Sequence, residues 1–204
     1  MTESLEINFL DVFLIVIVLF FAAQGFKRGF FRELIGFVGV IIAVAIALYS
    51  VENFAHDFAE LFELKAGAST ILVFFLAFFG VLALLGYIVN WVNRNAHLKL
   101  ADALNKALGG GIGLVKGIII SSLLAMFITV LPLTSGIQAQ AEKSVVRYTV
   151  IGLAPFVYDQ IRPVLPDKKR FVNYLENVLG QFDQEQIDAA ILKLLMDLGS
   201  TRFK

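Results

Sequence analysis

Four stretches of the chain run apolar for the length of a bilayer crossing, and polar residues gather in the links between them. Ile7–Phe26 holds a single charge, Asp11; Leu34–Val51 and Ile71–Val89 hold none; Gly113–Leu133 holds only Lys116. A membrane-crossing helix needs roughly 20 consecutive apolar residues. The runs are continuous, without the short alternation of an outer-membrane barrel. The pattern predicts an all-α integral membrane protein, a four-transmembrane-helix bundle over residues 1–134, followed by a helical C-terminal region over residues 135–204.

The predicted tail has no window long enough to span. Its most apolar part, "YTVIGLAPFVYD" (148–159), is short and interrupted by Pro155, which predicts an interfacial or buried segment. "LPDKKR" (165–170) reads as a polar turn before a further helix. Ile187, Ile191, Leu194, Leu195 and Leu198 recur at helical spacing, with Glu185, Asp188 and Lys193 on other faces. That stripe needs a partner: the membrane surface, the rest of the tail, or another subunit.

Composition agrees. Hydrophobic residues make up 58% and charged ones 17%, against about 45–50% and about 25% in soluble domains. With 20 Phe and a mean hydropathy of +0.80, one soluble core could not hide so much apolar surface. The net charge of zero argues against a nucleic-acid partner. The absence of cysteine excludes disulfides, thiolate metal sites and Cys nucleophiles.

Charge placement predicts orientation. Lys27, Arg28 and Arg32 lie in the first link, and Arg94, Lys99 and Lys106 in the third, whereas residues 52–70 carry Lys65 against Glu52, Asp57, Glu60 and Glu63. Short basic links stay in the cytoplasm, so the 52–70 loop, both termini and the tail are expected to be extracytoplasmic. The first span follows Glu3 and Glu6 and precedes its cations, the reverse of a secretory signal, so it reads as a retained helix.

Candidate chemistry is sparse. Gly109, Gly113 and Gly117 share a helical face that lets another backbone approach closely; alternatively "GGGIG" breaks the helix beside a polar cavity. These glycines fit no nucleotide loop, since Val115 precedes and Gly117 follows Lys116. Asp11 and Lys116, the charges within spans, are expected near opposite interfaces, each reaching water or headgroups, with a polar pathway or packing role as the alternative. His56 and His97 fall in links on opposite sides and cannot share a metal or acid–base site. Asn90, Asn93 and Asn95, with Trp91 and Arg94, have the composition of a membrane boundary. No nucleophile, base and metal set converges, so no enzyme activity, catalytic residue, cofactor or metal is expected.

The early acidic residue in "FLDVFLIV" (Asp11), the basic turn "KRGFFRE" (Lys27, Arg28, Gly29, Arg32, Glu33) and "NKALGGGIGLVKG" (Asn105, Lys106, Gly109, Gly113, Lys116, Gly117) together resemble the colicin V production (CvpA) family of bacterial inner-membrane proteins. Asn105 stands where that pattern leads one to expect Asp. The resemblance covers about residues 7–134. It implies four membrane helices, no defined enzymatic activity, and a role in toxin production or export and envelope homeostasis. Expected partners are the lipid bilayer, a second copy meeting the chain through its glycine faces or amphipathic tail, and a secretion or envelope protein. The rival expectation is an oligomeric channel or transport protein for ions or small solutes, lined by Asp11, Gln24, Asn90, Lys116, Ser121, Ser122 and Thr129.

Overall fold

The computed structural model describes residues 8–92, 102–130 and 140–199. Four long helices dominate: α1 (Phe9–Arg28), α2 (Phe30–Phe62), α3 (Ala66–Val92) and α4 (Asp102–Val130). Each is long and apolar enough to cross a membrane. The tail adds α5 (Val145–Val150), α6 (Leu153–Ile161), α7 (Phe171–Leu179) and α8 (Ala189–Asp197). The chain is an all-α membrane protein, and no strand occurs among the described residues. Arg94, His97, Lys99, Asn93 and Asn95 lie outside them.

The long helices form a row. α1 packs along α4, α4 on α2, and α2 on α3, while α1–α2 and α3–α4 contacts are slight. The groove left between α3 and α4 is lined by Leu72, Phe75, Leu76, Phe79, Leu124 and Phe127, an apolar surface suited to lipid.

Glycine sets the α1–α4 contact. Gly25 of α1 meets Gly109 and Gly113 of α4, backbone against backbone. A Cβ built on Gly113 would lie 3.1 Å from the Gly25 Cα and closer still to the Phe21 carbonyl; one on Gly117 would lie 2.9 Å from the Val18 Cα. Lipid tails are as apolar as Leu, so helices associate through such close van der Waals approach rather than by hiding from solvent. The Gly109–Gly113 stretch therefore does not break: α4 runs through it without interruption. Gly111 faces away, with nothing within 4 Å of a built Cβ.

One helix boundary differs from expectation. The second apolar window ends at Val51, yet α2 continues to Phe62, and only residues 63–65 turn into α3. The expected 52–70 loop is thus largely helix. At about 1.5 Å per residue the 33-residue α2 is about 50 Å long, well beyond the roughly 30 Å of hydrocarbon. The polar extension survives because Ala55 and Ala59 bury against the start of α3, where the Ser69 hydroxyl donates to the Ala55 carbonyl. Glu63 ends the helix in the left-handed conformation, φ 52°.

The tail docks on this bundle. Glu52 accepts from Lys169 Nζ at 2.7 Å and from Asn177 Nδ2 at 3.0 Å, and its carbonyl accepts from Gln181 at 3.2 Å. The bond to Glu52 is the main reason the Lys169 ammonium holds its proton more tightly than an ordinary lysine. Asp188 accepts from the Gly67 amide at 3.1 Å, satisfying a free donor at the start of α3. The predicted amphipathic stripe finds its partner here: Ile191 and Leu194 pack with Ile71, Phe74, Leu123 and Met126 of the bundle and with Phe171 and Leu175 of α7.

The "YTVIGLAPFVYD" segment sits deeper than a surface helix would. Ala154, Val157, Tyr158 and Ile161 line a cleft with Val40, Ile41 and Val44 of α2 and Ile119 of α4, midway along those helices' apolar stretches. Pro155 falls in the first turn of α6, where no backbone N–H is required. The turn between α5 and α6 is held by one hydroxyl: Ser122 donates to the Ile151 carbonyl at 2.9 Å and accepts from the Ala154 amide at 3.0 Å. Val145, Tyr148 and Phe156 point outward and are exposed.

The glycine contact predicts opposite outcomes for two neighbouring substitutions. Gly113→Ala should lower the thermal midpoint in detergent, at a cost of roughly 1–3 kcal/mol because its methyl meets backbone that cannot step aside. Gly111→Ala should be neutral or stabilising by up to about 1 kcal/mol, since alanine is the better helix former. Equal midpoints for the two variants would show that the glycines do not seat α1 on α4.

Candidate functional site

The junction of α1, α2 and α4 gathers most of the charged motif residues. α1 stops at Gly29, whose φ of 79° only glycine adopts without strain, and α2 restarts at Phe30. The Asn105 side-chain oxygen accepts from the Phe30 amide at 2.8 Å, capping α2 across the interface. An amide oxygen suffices for that bond, so the departure from an expected Asp costs the cap nothing. Lys27, Arg28 and Arg32 are exposed around this turn, and Lys106 is half-buried on the facing start of α4. The cations in the last turn of α1 also complement its dipole.

One turn further along α2 lies the main electrostatic feature. Glu33 is fully buried and forms an ion pair, through Oε1, with the Lys116 ammonium of α4. Lys116 is 4% exposed. Its Nζ also sits 5.1 Å from the centre of the Phe21 ring, within cation–π range. A Cβ on Gly36 would lie 3.6 Å from Nζ, at ordinary van der Waals distance, so the ammonium packs beside the α2 backbone. The second carboxylate oxygen, Oε2, has no hydrogen-bond partner among the described residues. Of the two expectations for Lys116, reach to water or headgroups and a packing role, the structure shows the second: it turns inward, because a carboxylate within reach outweighs the stretch to an interface. Glu33, a mere motif residue in the sequence, is the side chain that makes Lys116 tolerable at this depth.

Asp11 serves a separate junction. Its Oδ1 accepts from the Ser144 hydroxyl and from the Val146 amide, the latter at 3.1 Å, so α1 holds the start of α5. Ser144 in turn caps α5 by accepting from the Arg147 amide at 3.0 Å. No ion pair joins Asp11 to Lys116 among the described residues, in keeping with their expected difference in depth. The hydroxyls of the expected polar path are likewise used inside the chain: Ser121 donates to the Leu14 carbonyl at 3.2 Å and Thr129 to that of Ala125 at 2.7 Å. His56, assigned in the sequence to the second link, is partly covered by the tail, its ring 5.2 Å from that of Phe182. Among the described residues no group of three or more His, Asp or Glu could hold a metal ion.

Chemically, Glu33 and Lys116 form a net-neutral lock between α2 and α4. In a low-dielectric interior each charge alone costs several kcal/mol to bury, while together they offset most of that cost. Lys116→Met or Glu33→Met alone should therefore destabilise the protein by about 3–5 kcal/mol, and the double Met variant should recover most of the loss. Denaturant titrations of the four species in one detergent measure this; strictly additive single losses would show the two charges to be independent.

The chain matches the family described as "Colicin V production protein" over residues 10–155. No curated protein and no solved structure matches it. The matched stretch contains every motif residue from Asp11 to Gly117 and runs on through α5 into the first turn of α6. These residues build the glycine contact, the Gly29 turn with its Asn105 cap, the Glu33–Lys116 pair and the Asp11 anchor. The chain belongs to the colicin V production family.

Proposed function

We propose that this protein is a non-enzymatic component of the bacterial inner membrane that supports production or secretion of a colicin-type toxin and, with it, envelope homeostasis. The family match over residues 10–155 carries this reading. Its support in the fold is that the motif residues join helices to one another: Gly113 seats α1 on α4, Asn105 caps α2, and Lys116 ties α4 to α2. A scaffold uses its polar residues in this way. The occupied hydroxyls of Ser121, Ser122 and Thr129 favour it over a shared ion path. The glycine face and the tail stripe are also taken up within one chain, so a second copy or an envelope partner would meet other surfaces, such as the exposed Leu76, Phe79, Leu84 and Tyr87 of α3.

Orientation follows from the cations. Lys27, Arg28, Arg32 and Lys106 cluster at the Gly29 end, which supports a cytoplasmic position for that end and a periplasmic one for the C-terminal tail. A phosphatase reporter fused after Lys204 should be active, and a cytoplasm-dependent fluorescent reporter at the same point dark. The reverse pattern would invert the assignment.

The functional test is complementation. In a toxin-producing host lacking its own family member, the wild-type chain should restore toxin release, and Gly113→Leu should fail to. Wild-type protein that reaches normal membrane levels without restoring release would refute the proposal.

A further inference from the structure

At the end of α4 opposite the Gly29 turn, a cavity of about 230 Å³ opens between α4, the residues before α5, and α8. Thr129, Ala141, Glu142, Arg147, Ala190 and Lys193 line it. Arg147 is 2% exposed, and a guanidinium does not deprotonate in a protein, so a full positive charge is buried at the cavity wall. Its side-chain hydrogen-bond partners among the described residues are neutral. Nε donates to the Thr129 hydroxyl at 3.0 Å and Nη1 to the Ala141 carbonyl at 3.0 Å, and the guanidinium lies 4.7 Å from the Tyr148 ring centre.

Among the described residues one carboxylate, Asp197, comes within 4.0 Å of Nη2, which is beyond hydrogen-bond reach. Buried charges are ordinarily paired and hydrogen-bonded. The second cation of the wall, Lys193, is half exposed and loosely held by exposed Glu142 at 3.5 Å. A fixed, incompletely compensated guanidinium and a movable ammonium thus border a space large enough for a small anion.

We infer that this cavity binds a phosphate group, held by Arg147 and Lys193, with Glu142 as the carboxylate it displaces. Arginine's planar fork suits phosphate oxygens, and two cations match its charge. The cavity adjoins the last turn of a membrane-spanning helix, the level at which lipid headgroup phosphates lie. Headgroup and free phosphate share this chemistry.

The test is thermal unfolding of the full chain in neutral detergent, with phosphatidylglycerol, diacylglycerol or inorganic phosphate added, because a ligand that binds only the folded state raises the midpoint. Phosphatidylglycerol should raise it and diacylglycerol should not; a rise with inorganic phosphate alone would assign the site to a free anion. Arg147 also holds the local fold together, so the informative variants are its neighbours. Ala190→Phe, which fills the cavity, and Lys193→Ala should cut the shift severalfold, whereas Glu142→Gln should enlarge it by removing the competing carboxylate. A shift that survives Ala190→Phe, that Glu142→Gln weakens, or that no phosphate-bearing probe produces would overturn the assignment.

Discussion

Inside a bilayer no water is available to a polar group, so one left without a partner from the protein is costly. The polar contacts of this structure follow from that constraint. Glu33 and Lys116 neutralise each other between α2 and α4. Ser121 and Ser122 return their hydrogens to carbonyls of Leu14 and Ile151. Asn105 satisfies the first amide of α2. A soluble protein could leave several of these groups to solvent. Here each becomes a connection between two elements, so the few polar residues hold the helices in register.

Glycine and charge act together at the same seam. Gly109, Gly113 and Gly117 let α4 lie against α1, and Lys116, one residue before the last of them, projects toward α2 with the Phe21 ring of α1 beneath its ammonium. The glycines thus set the distance at which the lysine works. A wider α1–α4 separation would open the space around a buried ammonium, and a bilayer offers nothing polar to fill it. The row of helices, α1–α4–α2–α3, is held on one side by backbone contact and in the middle by the ion pair.

The tail obeys the same constraint by another route. α6 lies beside the middle of α2 and α4 because its apolar face fits there, and Ser122 satisfies the backbone at the turn that brings it in. Asp11, Glu52 and Asp188 each lend a carboxylate to a tail or helix-start donor, so acidic residues from the first span, the second link and the tail all serve as anchors. Arg147 is the least compensated: its guanidinium bonds neutral oxygens, the Asp197 carboxylate stands 4.0 Å away, and the cavity beside it is the place where an outside ligand would complete the set.

Length and continuity of the apolar runs were enough to establish four membrane helices, since the hydrocarbon thickness sets a length that composition alone must meet. The four-residue glycine spacing likewise announced a close helix contact, because 3.6 residues per turn puts such positions on one face. Which helix would fill that face was not legible, as apolar spans are nearly interchangeable partners in sequence. Glu33 looked like part of a basic turn, and Lys116 looked free to reach an interface, because depth along one helix says nothing about what the adjacent helix presents there. The continuation of α2 to Phe62 was hidden for a related reason: its charged residues mark where hydrocarbon ends, while the helix is prolonged by packing on α3. Local pattern determined which segments enter the membrane; only the three-dimensional assembly decided which charges meet, because pairing depends on distances between helices that no single helix encodes.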